Sequence, residues 1–198
     1  MSQCRIIGLT GGIATGKTTV SKHLSQVHRL PVLDADVYAR EAVQLGSPIL
    51  EAIADRYGPE VLLPSGVLNR QRLGEIVFHD AAEKQWLERQ IHPYVRDRFI
   101  KAMQDFRDDQ TVVQAIPLLF EAGLTDQVTE IWVVSCSEKQ QLARLMQRDR
   151  LSLEQAQARI QSQMPLAEKA AQADVVLDNS GRISELLEEV DRALAGKH

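Results

Sequence analysis

The sequence predicts an α/β fold: a parallel sheet flanked by helices, interrupted by a helical insertion and carrying an arginine-bearing helical hairpin. Short runs rich in β-branched residues alternate with segments of helical period, as parallel strands joined by crossover helices require. No such run occurs between Gly46 and Asp109, and a glycine-rich turn joins the first strand to the first helix.

The first strand is Arg5-Ile-Ile-Gly-Leu9, and Val20, Leu24 and Val27 keep helical spacing after it. Between them, Gly11, Gly12, Ile13, Ala14, Thr15, Gly16, Lys17 and Thr18 fit G-x-x-x-x-G-K-[ST], and Thr19 follows. In that pattern closely spaced N–H groups meet phosphate oxygens, the lysine ammonium adds charge, and the next hydroxyl, here Thr18, is placed to ligate Mg²⁺. The helix start adds unpaired donors and a positive dipole end. A ligand-free turn is the alternative, but a lysine and hydroxyls at these offsets serve no packing purpose. The spacing does not match the G-x-G-x-x-G of dinucleotide folds, where Lys17 would have no role.

Leu30-Pro-Val-Leu33 reads as the second strand and Val37–Val43 as its helix, with Asp34-Ala-Asp36 at the junction. Residues two apart in an extended segment face the same way, so both carboxylates can look towards a phosphate or its magnesium. Equally, Asp36 can cap the helix and Asp34 close the turn. The insertion then carries helical patterns over Ile49–Tyr57, Arg70–Phe78, Ala81–Ile91 and Tyr94–Arg107, with His92-Pro93 as an expected break. A histidine at such a break is more often structural than a ligand.

Thr111–Ile116, followed by Pro117-Leu-Leu-Phe-Glu121, and Glu130–Ser135 read as buried strands. Neither ends on an acidic residue suited to magnesium, which favours Asp34 and Asp36 for that role. Glu138–Asp149 reads as a helix with Arg144 and Arg148 on one face, and Leu153–Gln163 as a second helix bearing Arg159. A solvated charged face is one reading; a lid closing over a transferring phosphoryl is the one favoured beside a phosphate loop. Asp174–Leu177 is the last strand, Asp178-Asn-Ser-Gly181 a turn, and Ile183–Ala195 an amphipathic closing helix. The tail Gly196-Lys-His198 is expected to be loose.

The 198 residues carry a net charge of −4, which argues against a general nucleic-acid binder. The apolar runs are too short to span a bilayer, and the two cysteines, Cys4 and Cys136, form no metal or disulfide pattern. A cytoplasmic location with small anionic ligands is expected; the sequence leaves the oligomeric state open. The parts together describe a small-molecule kinase: the loop holds the phosphate donor, Thr18 binds magnesium, an aspartate after the second strand serves the acceptor hydroxyl, and Arg144 and Arg148 neutralise charge. The guanine-reading [NT]-K-x-D motif of switch GTPases is missing from the sequence.

The residues also resemble the dephospho-coenzyme A kinase family. The resemblance is carried by Gly8–Thr19, Asp34-Ala-Asp36, Leu68-Asn-Arg70 with Val77-Phe78, His92-Pro93, Pro117–Glu121, Gln141-Leu-Ala-Arg144 with Gln147-Arg-Asp149, and Ala173-Asp174 with Asn179. It implies a P-loop kinase fold and transfer of the γ-phosphate of ATP to the ribose 3′-hydroxyl of dephospho-coenzyme A. It further implies Asp36 as base, Arg144 on the phosphates beside the Lys17 of the loop pattern, and Asn179 near the adenine. Asp34, Arg70, His92 and Glu121 are implied on the acceptor side. The expected layout is a core of about residues 1–45, 110–137 and 166–198, a substrate subdomain of about 46–109 and a lid of about 138–165. Gly74 departs from the charged residue that relatives often carry in that segment.

Overall fold

The computed structural model describes residues 4–196, Phe78 and His79 by their backbone alone; Lys197 and His198 of the tail lie outside the described residues. In chain order the elements are β1 (Arg5–Gly11), α1 (Lys17–Gln26), β2 (Val32–Asp34), α2 (Ala35–Glu41), α3 (Pro48–Tyr57), α4 (Arg70–His79) and α5 (Ala81–Met103). Then follow β3 (Thr111–Ala115), β4 (Glu130–Ser135), α6 (Glu138–Asp149), α7 (Leu153–Gln161), α8 (Leu166–Ala171), β5 (Val175–Asp178) and α9 (Ile183–Ala195). The chain forms two compact units, one of residues 1–34 and 106–198, the other of residues 35–105.

The first unit holds a five-stranded parallel sheet in the order β2-β3-β1-β4-β5. Alternate residues of neighbouring strands point to one face, where Ile7, Leu9, Val113, Trp132, Val134 and Leu177 form a core. Val20 and Leu24 of α1 and Leu186 and Val190 of α9 cover it. Burying each such side chain contributes about 1.5–3 kcal/mol, so this layer fixes α1 firmly behind the loop that precedes it. Leu9 and Asp34 both pair with Ala115, which puts the exit of β1 and the end of β2 at the same carboxyl edge of the sheet. Ligands of open parallel sheets bind outside that edge.

Reciprocal capping boxes start the two hairpin helices, Ser137 with Gln140 at α6 and Ser152 with Gln155 at α7. Helix α8 was not expected from sequence: it is a six-residue turn of helix behind Pro165, and its alanine-rich pattern carries little period.

In the second unit Ala42, Val43, Leu50, Ile53, Val61, Leu68 and Leu73 form a separate core, with Trp86, Leu87, Ile91 and Tyr94 of α5 packed on it. Ser47, Asn69 and Asp80 cap α3, α4 and α5 through their side chains. Glu83 takes hydrogen bonds from Arg56 Nε (2.6 Å), Arg56 Nη2 (2.8 Å) and Tyr57 Oη (2.6 Å). The Arg56 bonds, then the Tyr57 bond, pull the Glu83 carboxyl down to about 2.

One expected boundary is wrong. Helix α5 runs unbroken from Ala81 to Met103 with Pro93 inside it, so His92-Pro93 does not separate two helices. Proline removes one hydrogen bond and disfavours helix for the residue before it, but apolar contacts on both sides outweigh that local cost. Ile91 and Tyr94 pack on the unit's core. Phe99 is fully buried and meets the Tyr38 ring edge-on at 5.1 Å.

Among the described residues no helix is long and apolar enough to cross a membrane.

Candidate active site

The segment between β1 and α1 has the backbone of an anion cradle. Gly16 precedes α1 with φ 108°, donates no side-chain cap, and the first turn of α1 holds no acidic residue. The first turn of α1 therefore brings no acidic side chain of its own to the positive end of the helix dipole. Inside the loop Thr15 is fully buried, and its hydroxyl donates to Gly12 O at 2.9 Å. Thr18 stands exposed at the second position of α1, and Lys17 is half-buried at the first.

Three side chains from the far half of the sequence hold this loop. Gln141 Nε2 of α6 donates to Ile13 O at 2.8 Å, while Ile13 N–H donates to Gln163 Oε1 at 2.9 Å. Asn179 Nδ2 donates to Thr15 O at 2.7 Å, and its own N–H donates to Ser135 O at 2.7 Å. The glycines leave room for these braces. A Cβ on Gly12 would lie 2.5 Å from Gln141 Nε2, and one on Gly16 would overlap Asn179 Nδ2.

Gly16→Ala is accordingly expected to destabilise the fold by about 2–4 kcal/mol, from a strained positive φ plus a displaced buried hydrogen bond. Denaturant unfolding measures this; an unchanged midpoint would mean that Asn179 does not brace the loop.

Arg144 sits beside these residues. Its Nη2 donates to Asn179 O at 3.0 Å, and its buried Nη1 has no hydrogen-bond partner among the described residues. Buried Asn179 Oδ1 likewise has no hydrogen-bond partner among the described residues. Burial pushes the Cys136 thiol up, and the nearby Arg144 guanidinium opposes that shift without overcoming it. A guanidinium donor without a protein acceptor is costly, and such groups concentrate at ligand sites.

Arg148 is placed differently from the expectation that it projects with Arg144 onto phosphates. It grips the neighbouring Asp149 through Nε (2.8 Å) and Nη2 (3.0 Å), and Asp149 also accepts from Arg159 Nη1 at 3.0 Å. The Arg148 hydrogen bonds, with help from Arg159, hold the Asp149 carboxyl below the usual carboxylate range. This triad ties α6 to α7.

Glu121 likewise has a structural task. Its Oε1 lies 2.8 Å from Lys169 Nζ and accepts from Met164 N at 3.0 Å. Lys169 has no exposed surface, and its Nζ also donates to Pro117 O, which Thr10 Oγ1 reaches at 3.1 Å. Removing one partner of a buried ion pair costs about 3–5 kcal/mol, so Glu121 secures the segment after β3 to α8.

Asp34 ends β2 at the sheet edge described above. In the second unit, Asp36 is exposed in the first turn of α2, which begins at Ala35, two residues earlier than the sequence pattern suggests. It is therefore inside the helix and not its N-cap. Arg70 is exposed at the first position of α4, and His92 is half-buried in the middle of α5.

A family model described as dephospho-CoA kinase matches residues 5–185. The chain belongs to the dephospho-CoA kinase family. Curated dephospho-CoA kinases of Trichormus variabilis and a Nostoc species are 64% and 63% identical over 190 residues, covering 96% of this chain and 96% of each relative. A Thermus thermophilus crystal structure superposes with a TM-score of 0.83 at 34% identity, covering 98% of this chain and 97% of that one. The dephospho-CoA kinase of Campylobacter jejuni gives 0.71 at 28%, covering 96% and 94%. An Acinetobacter baumannii shikimate kinase, at 0.56 and 15% identity with 98% and 95% covered, shares the P-loop kinase fold alone.

Sequence reasoning singled out the loop, Arg144 and Asn179, but missed what Gln163 and Lys169 do and gave Gln141 no role. Gln141 stood inside a motif of the dephospho-CoA kinase resemblance, which is the signal that could have raised it. A buried lysine in an alanine-rich stretch offers none, because lysine is ordinarily exposed.

Proposed function

We infer that this chain transfers the γ-phosphate of ATP to the ribose 3′-hydroxyl of dephospho-coenzyme A, yielding coenzyme A and ADP. The observation that carries the inference is the family match over residues 5–185, joined to a glycine-rich loop and helix N-terminus with no acidic or capping side chain of its own.

Phosphoryl transfer asks the protein for positioning and charge more than for covalent chemistry. In this reading the loop from Gly11 to Thr19 binds the triphosphate, with Lys17 on the transferring group. Asp36 accepts the proton of the 3′-hydroxyl as the hydroxyl oxygen attacks phosphorus. Arg144, whose buried Nη1 has no oxygen acceptor among the described residues, donates to phosphate oxygens as charge develops. Arg148 reaches phosphate only by giving up its bidentate hold on Asp149, so Arg144 carries more of that task. Helices α6 and α7 act as the lid, and Asn179 supports the adenine side.

The donor set also suits Mg²⁺: the exposed Thr18 hydroxyl and the Asp34 carboxylate are hard oxygens, the ligands this ion selects. When bound, the ion would supply positive charge that offsets the charge of the phosphates. Arg70, His92 and Glu121 remain assigned to the acceptor side on resemblance. Glu121 would act there by fixing its segment through Lys169. Two unbridged buried cysteines, Cys4 and Cys136, favour a reducing, cytoplasmic setting.

The test is a panel of acceptors given to purified protein with Mg-ATP while ADP is measured. Dephospho-coenzyme A is expected to turn over much faster than nucleoside monophosphates, shikimate or gluconate. Equal or faster turnover of any of these overturns the assignment.

A further inference from the structure

We propose that His23, His28 and Asp191 form a binding site for one divalent transition-metal ion of zinc-like character, where α1 meets α9. His23 lies in the last turn of α1, His28 just beyond it, and Asp191 on α9. Their ligand atoms all lie within 4.8 Å of one another. His23 Nε2 and His28 Nε2 are 2.6 and 2.7 Å from the same carboxylate oxygen, Asp191 Oδ1. The two rings stand edge to face with centroids 5.2 Å apart.

The local backbone creates this convergence. Val27 N–H donates to His23 O as α1 closes, Arg29 takes φ 55°, and Leu30 N–H donates to Leu24 O at 3.1 Å. The chain so folds back, and His28 comes beside His23. Leu186 and Val190 in the sheet core fix α9 against α1, which brings Asp191 to the pair.

A single histidine–aspartate pair is an ordinary helix-to-helix contact. Two imidazoles aimed by Nε2 at one carboxylate oxygen supply two nitrogens and an oxygen, a set that suits zinc-like ions and not the oxygen-seeking Mg²⁺ or Ca²⁺. Side-chain exposures of 12%, 27% and 48% for His23, His28 and Asp191 give the site a protein floor and an open side for water as a further ligand. Metal bonds of about 2.0–2.1 Å in a tetrahedron hold ligand atoms about 3.3 Å apart. The half-exposed carboxylate must therefore withdraw by a fraction of an ångström. Each imidazole that now donates Nε2–H gives the metal that lone pair, with its proton on Nδ1 instead.

The site is separate from the phosphate loop, which occupies the other end of α1. Its effect is to clip the two helices together, stabilising the folded chain by mass action.

Metal-free full-length protein, titrated with Zn²⁺ by calorimetry in buffer containing excess Mg²⁺, is expected to bind one Zn²⁺ per chain and to show a raised Tm. His28→Gln and Asp191→Asn should each weaken binding by at least about tenfold and abolish the Tm rise. Both should keep wild-type turnover, which confirms their fold. No stoichiometric uptake by the wild type overturns the proposal, as does equal affinity in both variants, which would place the ion elsewhere.

Discussion

Asp36→Asn is expected to lower kcat by about a hundredfold or more, the usual contribution of a positioned general base. Asparagine keeps the size and hydrogen-bonding reach of the side chain but cannot accept the proton of the acceptor hydroxyl. KM for ATP should change little, because the triphosphate contacts assigned above come from the loop in the other unit. The melting curve reads any structural role: a carboxylate in the first turn of a helix gains about 0.3–1 kcal/mol from the dipole, and Asp36 is not the cap of α2. Steady-state kinetics with dephospho-coenzyme A, together with a melting curve, separate the two roles. Wild-type turnover with a lowered Tm would reduce Asp36 to helix support.

Arg144→Ala is expected to lower kcat by about a hundredfold to a thousandfold, the range seen when one preorganised donor to developing charge is removed. The structure motivates a kinetic effect beyond a structural one. One guanidinium nitrogen is spent on Asn179 O, yet the buried Nη1 has no oxygen acceptor among the described residues. A purely structural arginine would ordinarily satisfy both. The loss should appear more in kcat than in KM, as for an interaction strengthened in the transition state. The comparison with Arg148→Ala sharpens this, since Arg148 is already held by Asp149 and its removal should cost less. A melting defect with normal kcat for Arg144→Ala would remove it from the site.

Much of this molecule can be read from its sequence because its strongest signals are local. β-branched runs, glycine spacing and helical period each report backbone geometry within a few residues, and β4, α6 and α9 lie where those signals put them. Where long-range packing decides, local signals mislead. Pro93 was a reasonable break, but contacts made by Ile91, Tyr94 and Phe99 carry α5 through it. The braces of the phosphate loop are legible only in part for the same reason: Gln163 is 150 residues from Ile13. Glu121 and Lys169 show a further limit. The resemblance implies Glu121 on the acceptor side, whereas the buried lysine that engages it has no sequence signature. Arg148 shows the last, because helical period sets which face a side chain occupies but not which neighbour captures it.

The most direct measurement is the position of the new phosphate in the product formed from Mg-ATP and dephospho-coenzyme A, read by phosphorus and proton NMR. The account predicts a phosphomonoester on the ribose 3′-oxygen and one ADP per product molecule. Phosphate on the 2′-oxygen, or ADP released without a phosphorylated acceptor, would contradict it.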